Sequence, residues 1–259
     1  MHPNAYLKTF WLMDSKPEVF VAMSFAPKFR ERYTRVITPA IQEQGLRAFR
    51  VDISQSGDSI LTDIVDGIAH SQMVLADVST IGHDGETEQA YRNGNVMYEV
   101  GIALACRQPA DVLLIRDDDD RFLFDVSTIP HLKIDFTNID GARRQLSQVI
   151  ELRLREQRRL NDVRVDIAVA ALTAEEIAQL KTVANRGPEH VWSKQNNPYT
   201  FSVLARLADK QIIRMVAEVP EDSRAAYQLT EIGWEVAKRA TKLPHGTITL
   251  PDESSESSA

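Results

Sequence analysis

The feature of the sequence with most chemical content is a glutamate set among apolar residues. The stretch Asn93-Gly-Asn-Val-Met-Tyr-Glu-Val-Gly-Ile-Ala-Leu-Ala105 opens on polar residues and continues at helical spacing. With Asn95 as N-cap, Val96, Val100, Ala103 and Leu104 share the face that packs on a sheet, and Glu99 lies three residues after Val96 and four before Ala103. A carboxylate there breaks the local pattern, as functional residues do, and in a first helical turn it would also sit at the favourable end of the helix dipole. Glu99 is therefore a candidate nucleophile or general base, against the plainer alternative of an exposed glutamate at a helix start. Asp52 and Asp77, each at the end of an expected strand, are candidate companions. Paired carboxylates suit glycosidic cleavage: one attacks or shields the anomeric carbon as oxocarbenium character develops, and another binds sugar hydroxyls or handles a proton.

The elements that must position these groups read as a repeating strand and helix. Val19 to Phe25 is a buried strand, and Phe29 to Gln44, with Tyr33, Ile37 and Ile41 spaced by four, is a helix ending at Gly45. Strand two covers Leu46 to Asp52, a helix Asp58 to Ser71, and strand three Met73 to Asp77. After a loop come the Glu99 helix, an apolar strand at Val112 to Ile115 and a fifth strand near Leu132 to Phe136. Such alternation implies an α/β fold, a parallel doubly wound sheet in the flavodoxin-like order 2-1-3-4-5. Its ligand crevice opens at the carboxyl ends of the strands where the order reverses, between strands one and three. Ser24, Phe25, Asp52, Asp77 and the start of the Glu99 helix all fall at that edge. Gly57 and Asp58 either cap the second helix or offer backbone N–H groups to a phosphate.

A long helix from Ile139 to Leu160 leads into a smaller unit. Thr173 with Glu176 forms a capping box, a second helix spans Thr200 to Lys210, strands at Ile212 to Val216 and Tyr227 to Thr230 flank a polar turn at Pro220 to Asp222, and a last helix begins near Glu231. Helix, helix, hairpin and helix in this order is the pattern of a winged helix-turn-helix. From Leu243 the composition turns to Pro, Ser and Glu, as in a disordered acidic tail.

The stretches Val19 to Phe25, Ala76-Asp-Val-Ser79 and Asn93-Gly-Asn-Val-Met-Tyr-Glu-Val-Gly-Ile-Ala103 resemble the nucleoside 2-deoxyribosyltransferase-like superfamily, across roughly residues 18 to 136. The resemblance implies that Glu99 is a nucleophile forming a glycosyl-enzyme intermediate and that Asp77 takes part at the nucleoside. It further implies that Ser24, Phe25, Asn93, Asn95 and Tyr98 line the pocket. Asn93 replaces the family's usual Asp, and residues Thr80 to Arg92 form a longer, acidic loop that suits a lid or a partner-binding segment. The related Toll/interleukin-1-receptor (TIR) domains place a catalytic Glu on the equivalent helix and split NAD, so hydrolysis of a nucleotide or NAD stands beside transfer. A deoxyribosyltransferase-like domain (18–138) joined through a linker helix (139–160) to a winged helix (161–242), between an N-terminal extension (1–17) and a tail (243–259), is similar in layout to retron-associated anti-phage effectors. The expected substrate is a nucleotide, nucleoside or NAD, and the winged helix is expected to take a nucleic acid or protein partner within a homo-oligomer. The competing expectation is a non-catalytic nucleotide sensor that signals through the winged helix.

Composition narrows the remaining classes. The 259 residues carry a net charge of −7, so nucleic acid would need a local basic patch, yet from Asn161 onward 11 Lys and Arg face 14 Asp and Glu. The expected recognition helix offers only Arg206 and Lys210, and Arg153, Arg155, Arg158 and Arg159 read equally as a solvated helix face. A single cysteine, Cys106, excludes an internal disulfide and a cysteine-based zinc site and points to the reducing cytoplasm. No apolar run is long enough to span a bilayer, and neither a Walker A loop nor a Gly-x-Gly-x-x-Gly fingerprint is present. Asp117 to Asp120 could bind a divalent ion but also fits a solvated turn, and His83, Asp84, Glu86 and Glu88 lack ligand spacing, so no metal and no cofactor are expected.

Overall fold

The computed structural model describes residues 15–51, 60–121, 129–185, 191–194, 197–219 and 224–241. Asp52, Gly57, Asp58, the turn at Pro220 to Asp222 and the expected tail lie outside the described residues. Two compact units divide at Arg158 and Arg159.

In the first unit, strand β1 (Lys16–Ala22) alternates its side chains between two faces of a sheet. Val19, Val21 and Met23 enter one core with the helix that follows β1, whereas Phe20 and Ala22 enter the other. Helix α1 (27–42) joins an α-helical turn Pro27–Glu31, a π-helical stretch Arg32–Ile37 and an α-helical end Thr38–Gln42. The wide turn, in which the Thr38 N–H donates to the Tyr33 carbonyl, precedes Pro39, whose ring cannot sit over a normal α-helical carbonyl. The helix stops at Gly45 as its sequence implies: Gly45 has φ +72°, its N–H donates to the Gln42 carbonyl (3.0 Å), and Leu46 donates to the Ile41 carbonyl (3.4 Å). This is a Schellman cap sealed by contact of buried Leu46 with the Ile41 core.

Strand β2 (Arg47–Phe49), helix α2 (Ile60–His70) and strand β3 (Ser71–Asp77) follow. Gly67 on α2 lies so close to β1 that a Cβ would approach the Phe20 ring to 2.4 Å. Between Thr80 and Arg92, where the sequence suggested a loop, the chain forms a hairpin of β4 (Thr80–His83) and β5 (Ala90–Arg92). Asp84 shapes its turn by accepting from the N–H groups of Glu86 and Thr87. Helix α3 (Gly94–Cys106), strands β6 (Val112–Arg116) and β7 (His131–Lys133), and the first part of helix α4 (Ile139–Ala170) complete the unit. The main sheet runs β2-β1-β3-β6-β7 and every pairing is parallel, which in order of appearance is 2-1-3-4-5. Helices α1 and α4 cover one face, and α2 and α3 the other. The switch point therefore lies between β1 and β3, as the alternation implied.

The second unit takes the last part of α4, which runs ten residues past the expected end at Leu160. Helix α5 (Ala174–Ala184) opens with the expected capping box: the Glu176 N–H donates to the Thr173 hydroxyl (3.2 Å) and the Thr173 N–H to the Glu176 carboxylate (2.8 Å). Strand β8 (Val191–Lys194), helix α6 (Pro198–Asp209), strands β9 (Ile213–Val219) and β10 (Arg224–Leu229) and helix α7 (Glu231–Thr241) follow. The two expected strands thus become a three-stranded antiparallel sheet, β8-β10-β9. Val165, Leu180, Val203, Leu204, Leu207 and Val236 form its separate core. No helix among the described residues is long and apolar enough to cross a membrane.

Candidate functional site

Helix α3 carries the central candidate, and its start differs from the sequence expectation. Asn93, not Asn95, is the N-cap: its backbone is extended and its side-chain oxygen accepts from the N–H groups of Asn95 (3.0 Å) and Val96 (3.2 Å). Either asparagine meets the pattern, and the backbone decides between them. Asn93 therefore holds the helix end, a task Asn performs as well as Asp. With the cap moved back two residues, Glu99 falls in the second turn, beyond the reach of the helix dipole. Val96, Val100 and Ala103 are buried against β1 and β3, and Glu99 flanks them, partly covered. Its carboxyl makes no hydrogen bond or ion pair with a described residue, and burial alone pushes its pKa up to about 7. Tyr98, beside it, is exposed.

Asp77 has a different environment. Its carboxylate is fully buried, accepts from the Ser79 N–H (3.0 Å) and faces Arg32 Nη1 at 3.4 Å. Burial pushes this carboxyl up, while Ser79 and Arg32 oppose the rise. Arg32 lies over the rings of Phe29 (4.6 Å) and Phe136 (4.5 Å), donates to the Ser79 hydroxyl (3.0 Å) and pairs with Asp117. Asp77 thus fixes the ends of β3, α1 and β6 to one another. Of the expected trio of carboxylates, Asp52 lies outside the described residues, Asp77 is engaged, and Glu99 has no partner among the described residues.

The acidic run after β6 is paired with cations, and of its four residues Asp119 is exposed as a solvated turn implies. Asp118 accepts from Arg92 Nη2 (3.0 Å) and from the Thr80 N–H (2.8 Å), which ties β6 to the hairpin. Asp119 pairs with Lys133, and Asp120 Oδ2 lies 3.2 Å from His83 Nε2. Burial would raise the Asp118 carboxyl, but Arg92, Thr80 and Arg116 hold it below the usual carboxylate range. Among the described residues no group of three or more His, Cys, Asp or Glu could hold a metal ion. Arg32 and Arg92 were not singled out in the sequence. The signal that could have found them is the run of four aspartates itself, since carboxylates crowded at a strand end require cations.

At the end of β1, Ser24 is buried and its hydroxyl accepts from the Ala26 N–H (3.2 Å), shaping the turn into α1. Phe25 is half exposed and lies under the Arg50 guanidinium. The structure therefore brings Ser24, Phe25, Asp77 and the α3 start to one sheet edge, with Phe25, Tyr98 and Glu99 as groups available to a ligand.

In the second unit, both cations of the expected recognition helix are committed. Lys210 Nζ lies 2.7 Å from the buried Glu176 carboxylate and also donates to the Ala171 carbonyl, and Arg206 Nε lies 3.4 Å from Glu176. Burial would raise the Glu176 carboxyl, but Lys210, the Thr173 N–H and Arg206 keep it low.

Neither a family model nor a curated protein matches the chain. Solved structures similar to it include two with the same order of likeness. The TIR domain of the Toll-related receptor TRR-2 from Hydra magnipapillata shows 15% identity and a TM-score of 0.36, covering 52% of this chain and 98% of that one. The flavodiiron core Flv1 from Synechocystis shows 13% identity and a TM-score of 0.35, covering 56% of this chain and 37% of that one. The flavodoxin-like description of the first unit rests on its strand order, not on these likenesses.

Proposed function

We propose that the first unit is an N-glycosidase that cleaves a nucleotide, nucleoside or NAD. The observation that carries this reading is Glu99: a carboxylate without a partner among the described residues, desolvated, on the helix that starts at the crevice edge. A partly buried carboxylate with no partner among the described residues costs stability, which is the mark of a group kept for chemistry. In its ionised form Glu99 attacks the anomeric carbon and the base departs with the bonding electron pair, nicotinamide as a neutral molecule and a nucleoside or nucleotide base with a proton taken from water; water then hydrolyses the glycosyl ester. Phe25 and Tyr98 offer exposed rings to a base or sugar. Asp77 acts in this reading as a positioning residue, through Arg32 and Ser79. The proposal agrees with the resemblance of residues 93–103 to nucleoside 2-deoxyribosyltransferase-like proteins.

For the second unit we propose a winged-helix-like module that docks a protein partner. The engagement of Arg206 and Lys210 by Glu176 favours this over DNA, whose phosphates need free cations. The test of the enzyme is chromatography of purified protein incubated with nucleosides, nucleoside monophosphates and NAD. Release of free base supports the reading. Intact substrates throughout would sink it, and binding without product would favour a nucleotide sensor.

A further inference from the structure

Two arginines in the first unit each lie over two aromatic rings, and they differ in what meets their N–H groups. Arg32, over Phe29 and Phe136, has its donors taken by Asp77, Ser79 and Asp117. Arg50 lies 4.3 Å from the Phe25 ring centre and 4.2 Å from that of Tyr33. Its guanidinium carbon thus lies over two rings, yet among the described residues its nitrogens have no hydrogen-bond or ion-pair partner. Neighbouring Arg47, by contrast, pairs with Glu18. Contact with two rings restricts a guanidinium without using its fork of N–H groups, which matches the spacing of two oxygens of a phosphate. The Arg50 fork is thus held at two rings and has no acceptor among the described residues.

Its place in the fold says where an anion would sit. Arg50 directly follows β2, whose last residue Phe49 pairs with Phe20 of β1, and Phe25 lies just beyond the end of β1. Both belong to the carboxyl edge of the sheet beside the switch point, the edge at which α3 starts.

We infer that the Arg50 guanidinium, held at Phe25 and Tyr33, is the phosphate-recognition group of this crevice, and that the ligand is a nucleotide rather than a nucleoside. The inference rests on the glycosidase reading for the nucleoside part of the ligand. It narrows that reading to substrates carrying a phosphate ester or pyrophosphate.

The test is calorimetric titration of the full-length Glu99→Gln protein with ribo- and deoxyribonucleoside monophosphates, NAD, the matched nucleosides and inorganic phosphate. Nucleotides are expected to bind about ten- to a hundredfold more tightly than their nucleosides, the range for charge-assisted hydrogen bonds. Arg50→Gln should abolish that preference with nucleoside binding unchanged, and Arg50→Lys should restore part of it through charge without the fork. Monophosphates and NAD in separate titrations distinguish a terminal phosphate from a pyrophosphate. Equal affinity for nucleotide and nucleoside, a preference that survives Arg50→Gln, or no binding by any member of the panel would overturn the inference. Because binding is read in a protein that lacks the Glu99 carboxylate, failure of the cleavage reading shows separately, as absent base release by the wild type.

Discussion

Replacement of Glu99 by Gln should stabilise the protein, and only at higher pH. The folded state holds the Glu99 proton up to about pH 7, whereas a free glutamate releases it near 4.5. Across that window the unfolded chain has already released its proton, so folding stability falls as pH rises and levels off above about 7. The difference corresponds to about 3 kcal/mol at about 1.36 kcal/mol per pH unit. Gln has the same shape and does not titrate. Near pH 4 the variant should match the wild type, and above about pH 8 it should be more stable by about 3 kcal/mol, or roughly 6–12 °C in Tm for a domain of this size. Thermal melts of both proteins across this pH range provide the assay. A stability difference that is flat with pH, or one that favours the wild type at high pH, would refute the claim that Glu99 is an unpartnered, desolvated carboxylate.

Three further outcomes follow from the same geometry. If ionised Glu99 is the attacking group, kcat/KM should rise with pH through about 7 and level off above it; a profile falling through that range would make Glu99 an acid instead. Arg32→Ala would leave the buried Asp77 carboxylate without its cation and should cost about 3–5 kcal/mol in denaturant unfolding. Lys210→Ala should similarly destabilise the second unit by removing the closest cation from buried Glu176, whereas salt-dependent DNA binding lost in the same variant would mean that Lys210 serves phosphates.

The parallel sheet was legible because its strands are apolar runs separated by periodic helices, and Gly45 and the Thr173–Glu176 box are local signals that survive any tertiary context. The hairpin at 80–92 was not, since β4 and β5 are short and the turn between them is polar, leaving no alternation to read. Strand β8, only four residues long, escaped for the same reason. Within the site, Glu99 stood out because a carboxylate interrupts an apolar face. The engagement of Asp77 could not be seen, because Arg32 lies 45 residues away in sequence and only the packing of α1 beside β3 brings them together. Asn93 and Asn95 illustrate a finer limit: both are good caps, and the backbone of the hairpin end selects the first.

The most direct test of the central claim is the initial rate of base release by the Glu99→Gln variant relative to the wild type, on whichever substrate the wild type turns over. A nucleophile's removal should lower that rate roughly a thousandfold or more. A variant that releases base within about tenfold of the wild-type rate would contradict the assignment of Glu99 as the attacking carboxylate.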